Sequence, residues 1–294
     1  MTARSTRLLI AALGLTLVGP ALQAGPDRPA GRLIRRDGRP LERRELMQAA
    51  AAAELVFMGE EHGNAAHHRL QRDLLAAMAD EGPAALGCEY FPRSLQPVLD
   101  RFNRGEISFK DLPEALDWKR TWGHPWKAYA PLFKLCAERR IPVFALNAEK
   151  ATARAVARKG FMKGLDRAGL LGLPEIMDDN EAYRARVRER LTSVHPMPEA
   201  MLQNYYEAFL LWDETMADSV CRILLRDRRP ELKILVVAGQ AHIETGTGIP
   251  DRVARRLNRS RPRLIVVGNS SSKPKTELGD VLFHTPKPRK PKLY

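Results

Sequence analysis

The chain has 294 residues, 44% of them hydrophobic, and a formal net charge of +13. That apolar fraction is enough for a sizeable core and excludes disorder over the whole length, and three cysteines (Cys88, Cys136 and Cys221) are too few for a disulfide framework. The basic surplus attracts nucleic acid, anionic lipid and anionic small molecules alike, so it selects no partner by itself.

Arg4 and Arg7 precede an apolar run at 8–18 and small residues up to Ala24. This is the pattern of a secretory signal over 1–24, and it predicts an exported protein, periplasmic or secreted. The run is too short to span a bilayer, and no later segment supplies the ~20 uninterrupted apolar residues of a permanent transmembrane anchor. No cysteine lies near the cleavage region, so a lipoprotein is not expected. Gly, Pro and Arg dominate 25–40, which predicts a flexible arm before an ordered domain over 41–285 and a basic tail over 286–294.

Within the domain, residues 41–53 read as a short helix and 54–59 as a buried strand ending in Gly59. Leu70, Leu74, Leu75 and Met78 give 66–78 a helical apolar face, with Asn64 as a natural N-cap. A second strand is expected at 84–89, helices at 94–102, 109–116 and 125–138, and a third strand at 141–147. Residues 203–225 read as a long helix, 233–238 as a fourth strand, 249–257 as a helix, 264–267 as a fifth strand and 281–283 as a sixth. This alternation predicts an α/β fold, a mainly parallel sheet flanked by helices, with an Arg-rich helical insertion at about 151–200.

Three strand ends carry polar residues. The first runs into Gly59-Glu60-Glu61-His62, the second into Glu89 and the fourth into Gly239-Gln240-Ala241-His242. Ligand crevices of open α/β sheets lie beyond the carboxyl ends of the strands, so these side chains are expected to converge. A lone strand-end histidine is most often a loop residue; two at the same Gly-x-x-His spacing, with Glu89, point to proton transfer or metal binding. His68, on the first turn of the next helix, would extend the cluster. Elsewhere, 117–126 packs three of the four tryptophans (Trp118, Trp122 and Trp126) beside His124 and Tyr129. Such density is more often a core corner than a ligand box, although a loop of this kind also suits a flat apolar ligand with His124 at its axis. Tyr205, Phe209 and Trp212 share one face of the long helix and read as core, while Asp213 is within reach of the crevice. Gly246-Thr247-Gly248-Ile249-Pro250 lacks the third glycine of a dinucleotide loop and reads as a tight helix entry.

The segments VFMGEEHGNAAHHRLQRDLL, GCEYF, DWKRTWGHPWKAYAPL with IPVFALN behind it, WDETMADS and VVAGQAHIETGTGIPDRV occur in that order. Together they resemble the ChaN-type haem-binding proteins of the Tiki superfamily. The resemblance implies a Tiki/EreA/ChaN-like α/β fold with paired Gly-x-x-His motifs, here ending in His62 and His242, with Glu89 as the associated acid. It also implies haem binding and iron acquisition. The wider group includes metal-dependent proteases and erythromycin-esterase-like hydrolases. Tyrosine ligation of haem is part of the same implication, with Tyr90, Tyr129, Tyr205 and Tyr206 all open as the ligand.

Two function classes therefore stand. The first is an exported haem-binding protein, its ligand haem or another small anionic aromatic molecule, with His124, Tyr129, Trp122, Trp126 and Tyr205 as haem contacts; a homodimer sharing a flat haem is compatible with it. The second is a metal-assisted peptide or ester hydrolase, with Glu60, His62, Glu89 and His242 as catalytic groups and His62, His68, Glu89 and His242 holding a divalent metal. No nucleic-acid partner is expected, because basic stretches interleaved with stacking aromatics are missing from the sequence.

Overall fold

The computed structural model describes residues 31–194, 196–226, 231–258 and 263–286. The expected signal segment and all but the first residue of the expected basic tail lie outside them. Seven strands form one sheet: β1 (Arg32–Arg35), β2 (Leu55–Glu60), β3 (Ala84–Pro92), β4 (Val143–Asn147), β5 (Lys233–Gly239), β6 (Arg263–Asn269) and β7 (Val281–His284). Their spatial order is β1-β7-β6-β2-β5-β3-β4. Every pairing is parallel except β1 with β7.

Alternation along the central strands builds a layer on each face. Val56 and Met58 of β2 join Leu235 and Val237 of β5 on one side, while Leu55 and Phe57 join Ile234, Val236 and Ala238 on the other. The first layer is covered by α1 (Arg43–Ala52), α2 (Ala65–Asp80), α3 (Gln96–Asn103), the single turns α4 (Leu112–Ala115) and α5 (Trp118–Thr121), and α6 (Trp126–Arg139). Asn64 caps α2, its side chain accepting the Ala66 N–H.

Between β4 and β5 come α7 (Lys150–Gly164), α8 (Arg167–Leu171), α9 (Glu181–Val194) and the long α10 (Glu199–Arg226). The C-terminal half of α10 packs on the sheet through Met216, Ala217 and Val220. Its N-terminal half is held instead by Ala153 and Val156 of α7 and by Tyr183 and Val187 of α9. After β5 follow α11 (Gln240–Ile243) and α12 (Ile249–Leu257).

One sequence expectation is corrected within the sheet. Residues 32–35, read as part of a flexible arm, are β1: Leu33 and Ile34 are buried, and the strand pairs with β7 from Arg32 opposite His284 to Arg35 opposite Val281. Two apolar residues between arginines are too short a pattern to register as a strand, but the open edge of β7 supplies the backbone partners.

Candidate functional site

Parallel register brings the polar strand ends together. Glu60 closes β2 opposite Gly239, which closes β5, and Glu89 lies in β3 on the other flank of β5. Glu89 Oε2 accepts the Gly239 N–H at 2.5 Å. A Cβ on Gly239 would sit 3.1 Å from the His62 ring and 3.5 Å from Glu89 Oε2, so the absence of a side chain lets His62 lie over the end of β5 beside Glu89. From the other side, His242 Nε2 comes to 3.6 Å from Glu89 Oε1. His62, Glu89 and His242 thus share one rim, as the spacing of the strand ends implied.

Each histidine has its own buried carboxylate. His62 Nδ1 lies 2.9 Å from Glu60 Oε1, and Glu60 also accepts Gln71 Nε2 at 2.6 Å and the Tyr90 hydroxyl at 2.9 Å. His242 Nδ1 lies 2.5 Å from Asp213 Oδ1, whose other oxygen accepts the Tyr183 hydroxyl at 2.8 Å. Burial would lower the pKa of His62, but the Glu60 hydrogen bond and the Glu89 and Glu60 charges outweigh it and raise it above the ordinary histidine value. His242 is likewise raised, burial being outweighed by Asp213 and Glu89. Burial would raise Glu60, but contacts from His62 and His68 hold its carboxyl well below the usual range. The centre is therefore two imidazole–carboxylate couples flanking Glu89. His62 is its accessible member, its side chain 36% exposed, whereas the His242 side chain is 8% exposed.

His68 does not join the rim. Its Nδ1 is 3.0 Å from the Ala128 carbonyl and its Nε2 is 3.3 Å from Glu60, so α2 turns it toward the packed side of that carboxylate. Among the described residues no group of three or more His, Cys, Asp or Glu side chains is arranged to hold a metal ion. Of the expected set, His62, Glu89 and His242 share the rim while His68 is held away from it between the Ala128 carbonyl and Glu60. The other neighbouring histidine, His67, is structural. Its Nδ1 accepts the Glu61 N–H, its Nε2 contacts Asn64 and Thr285, and burial lowers its pKa to about 4.

The five expected haem contacts separate into two regions. Tyr129 is buried, its hydroxyl between the Gly63 N–H and Glu60, and burial with the Glu60 charge pushes the phenol well above its ordinary value. Trp126 stacks on Phe133 at 5.2 Å, and Trp118 donates to the His124 carbonyl. Trp122 and His124 lie against the His62 ring at 4.9 and 5.4 Å. This block is a core corner that ends as a wall beside His62, with no tyrosine oxygen free to face a ligand.

Tyr205 lies elsewhere, and its assignment to the core is corrected. It is 43% exposed, because the clusters that hold this half of α10 against α7 and α9 take in Tyr206, Ala208, Leu210 and Leu211 but not Tyr205. Here Tyr205, Trp212, Ala153, Ala157, Lys150, Arg154 and Arg158 line an open pocket of about 420 Å³. Trp212 connects it to the strand-end centre: its ring lies 6.1 Å from His242, on which Phe209 stacks at 4.6 Å. The three α7 cations carry no motif in the sequence beyond their i, i+4, i+8 spacing, which was the available signal.

A family model described as haem-binding uptake, Tiki superfamily, ChaN matches residues 46–253, a span that holds both the strand-end centre and the α7–α10 pocket. The chain belongs to the ChaN family. A solved structure of ChaN of Campylobacter jejuni, described as showing cofacial haem binding, is similar over 87% of this chain and 96% of that one, with 17% identity and a TM-score of 0.69; the ChaN fold is thus shared. An erythromycin esterase, EreC, matches over 87% of this chain and 83% of its own at 14% identity and a TM-score of 0.49. No curated protein matches. Among the described residues of this ChaN-family chain, no helix is long and apolar enough to cross a membrane.

Proposed function

We propose that this protein is exported and binds haem for iron acquisition, and that the haem lies in the α7–α10 pocket against Tyr205. The observation that carries this reading is the pocket's chemistry. An exposed phenol offers an oxygen ligand, Trp212 with Ala153 and Ala157 offers an apolar surface, and Lys150, Arg154 and Arg158 offer cations to an anionic edge. Haem would be held there by the Tyr205 phenol at its iron and by Lys150, Arg154 and Arg158 at its carboxylates, and would supply the iron the protein acquires. Family membership and the cofacial haem binding of Campylobacter jejuni ChaN support the same ligand. The pocket is open, and Met162 and Met201 are exposed on the same two helices. A homodimer through this face would cover the outer side of the haem. Hemin titration of the protein without its signal segment tests the reading: a Soret shift on binding is expected, lost or moved in Tyr205→Phe, with sedimentation reporting a dimer only in the haem-loaded form.

The strand-end centre favours a second reading, hydrolysis of a peptide or ester. His62 has a buried carboxylate behind it and an exposed face beside Glu89, the arrangement of a general base that draws a proton from water. Glu60 orients the ring, and His242 with Asp213 supplies a second imidazole to donate a proton to the leaving group. Comparison of wild type with His62→Ala on an ester and peptide panel tests this; equal turnover in both removes the reading.

A further inference from the structure

The cations on α7 have a placement that a generally basic surface does not require. Lys150, Arg154 and Arg158 succeed one another at intervals of four residues, about 6 Å of axial rise each, and form one row along the pocket. Beside the row the pocket is lined by Ala153 and Ala157 of the same helix and by Tyr205 and Trp212 of α10. Arginines on the neighbouring helices have acidic partners. Arg252, Arg255 and Arg256 share Glu214, Arg186 and Arg190 share Glu244, and Arg188 meets Glu199. Among the described residues, no carboxylate lies within ion-pair distance of Lys150, Arg154 or Arg158; the Lys150 ammonium donates only to the Arg120 carbonyl. Burial and the nearby Arg154 charge lower the lysine below its ordinary value, as expected where like charges face each other without an anion between them.

An uncompensated cation row beside an aromatic and aliphatic surface is complementary to a flat apolar molecule that carries carboxylates on one edge. In haem, both propionates leave from the same edge of the ring. We infer that Arg154 and Arg158 are the specificity residues of this pocket, each receiving one propionate, so that it selects tetrapyrroles with two free, adjacent carboxylates whether or not iron is present. The inference rests on haem occupying the Tyr205 pocket. Guanidinium groups suit the role because each can donate two parallel hydrogen bonds to a carboxylate. Lys150, held at the first turn of α7, adds charge at the end of the row.

The probes are hemin, hemin dimethyl ester and iron-free protoporphyrin IX, titrated by Soret absorbance and tryptophan fluorescence against wild type, Tyr205→Phe and the double variant Arg154→Gln/Arg158→Gln. Both arginines are exposed, so the double variant should keep the wild-type circular dichroism. It is expected to lose about tenfold in affinity for hemin and for protoporphyrin IX, which charge-assisted contacts at a half-open site support. The dimethyl ester should bind wild type more weakly than hemin does, and bind the double variant no worse than wild type. If Tyr205→Phe alters the hemin spectrum but the double variant binds hemin as tightly as wild type, the propionate assignment is overturned and the haem site stands. Equal binding of hemin and its diester by wild type overturns the assignment in the same way. If neither variant changes hemin binding, the pocket is not the haem site and both statements fall.

Discussion

At the carboxyl ends of β2, β3 and β5, ionisable groups are matched: Glu60 with His62, Asp213 with His242, and Glu89 with the Gly239 N–H. In the α7–α10 pocket the cations have no carboxylate partners among the described residues, and the phenol of Tyr205 is exposed. Trp212, which lines the pocket, and Phe209 both lie against His242, yet the two regions are built on opposite principles. The first is an internally satisfied network whose removal costs the fold. The second leaves three cations and a phenol facing solvent above a floor, Ala153 and Trp212, that belongs to the packing of α7 on α10.

The largest expected effect breaks the matched region. Glu60→Ala leaves His62, Gln71 and Tyr90 without their common acceptor and should cost about 3–5 kcal/mol in urea denaturation. A loss below about 1 kcal/mol would show that the network is not what holds the strand ends. Next comes the acid response. His67 is neutral in the folded protein down to about 4, against an ordinary value of 6.5, so the unfolded chain binds the proton first as pH falls. Stability from this residue is complete above pH 6.5 and is lost on descent toward pH 4, by about 3 kcal/mol in total. His67→Gln should flatten that part of the stability–pH curve. His62 and His242 act with the opposite sign. Their raised values contribute stability that is present below pH 6.5 and lost as the pH rises through them.

Smaller effects sharpen the contrast. Tyr129→Phe removes a hydroxyl shared between Glu60 and the Gly63 N–H and should cost about 1 kcal/mol while leaving the hemin spectrum unchanged. Tyr205→Phe should leave stability within about 0.5 kcal/mol of wild type, since its side chain is exposed, and yet be the change that hemin detects.

The fold is largely legible in the sequence because strands such as 54–59 and 233–238 are continuous apolar runs and the helices between them carry clear faces. The Arg32–Arg35 strand is not, because a two-residue apolar core is invisible without its partner β7. His62, Glu89 and His242 can be grouped from sequence because the rule for parallel strand ends needs only local patterns. Gln71 and Tyr90, which complete the Glu60 network, have no such pattern; their roles depend on the packing of α2 and β3 against one side chain. Tyr205 reads as core, wrongly, for a related reason. Helical periodicity identifies a face of α10 but not where that helix leaves the sheet, and only the positions of α7 and α9 decide which of Tyr205, Phe209 and Trp212 is covered.

The claim that haem lies against Tyr205 is tested most directly by titrating hemin into wild type and Tyr205→Phe side by side and following the Soret and long-wavelength bands. A tyrosine-ligated spectrum in wild type, with displaced bands and at least about tenfold weaker binding in the variant, is the expected result. Identical spectra and affinities in the two proteins would contradict it.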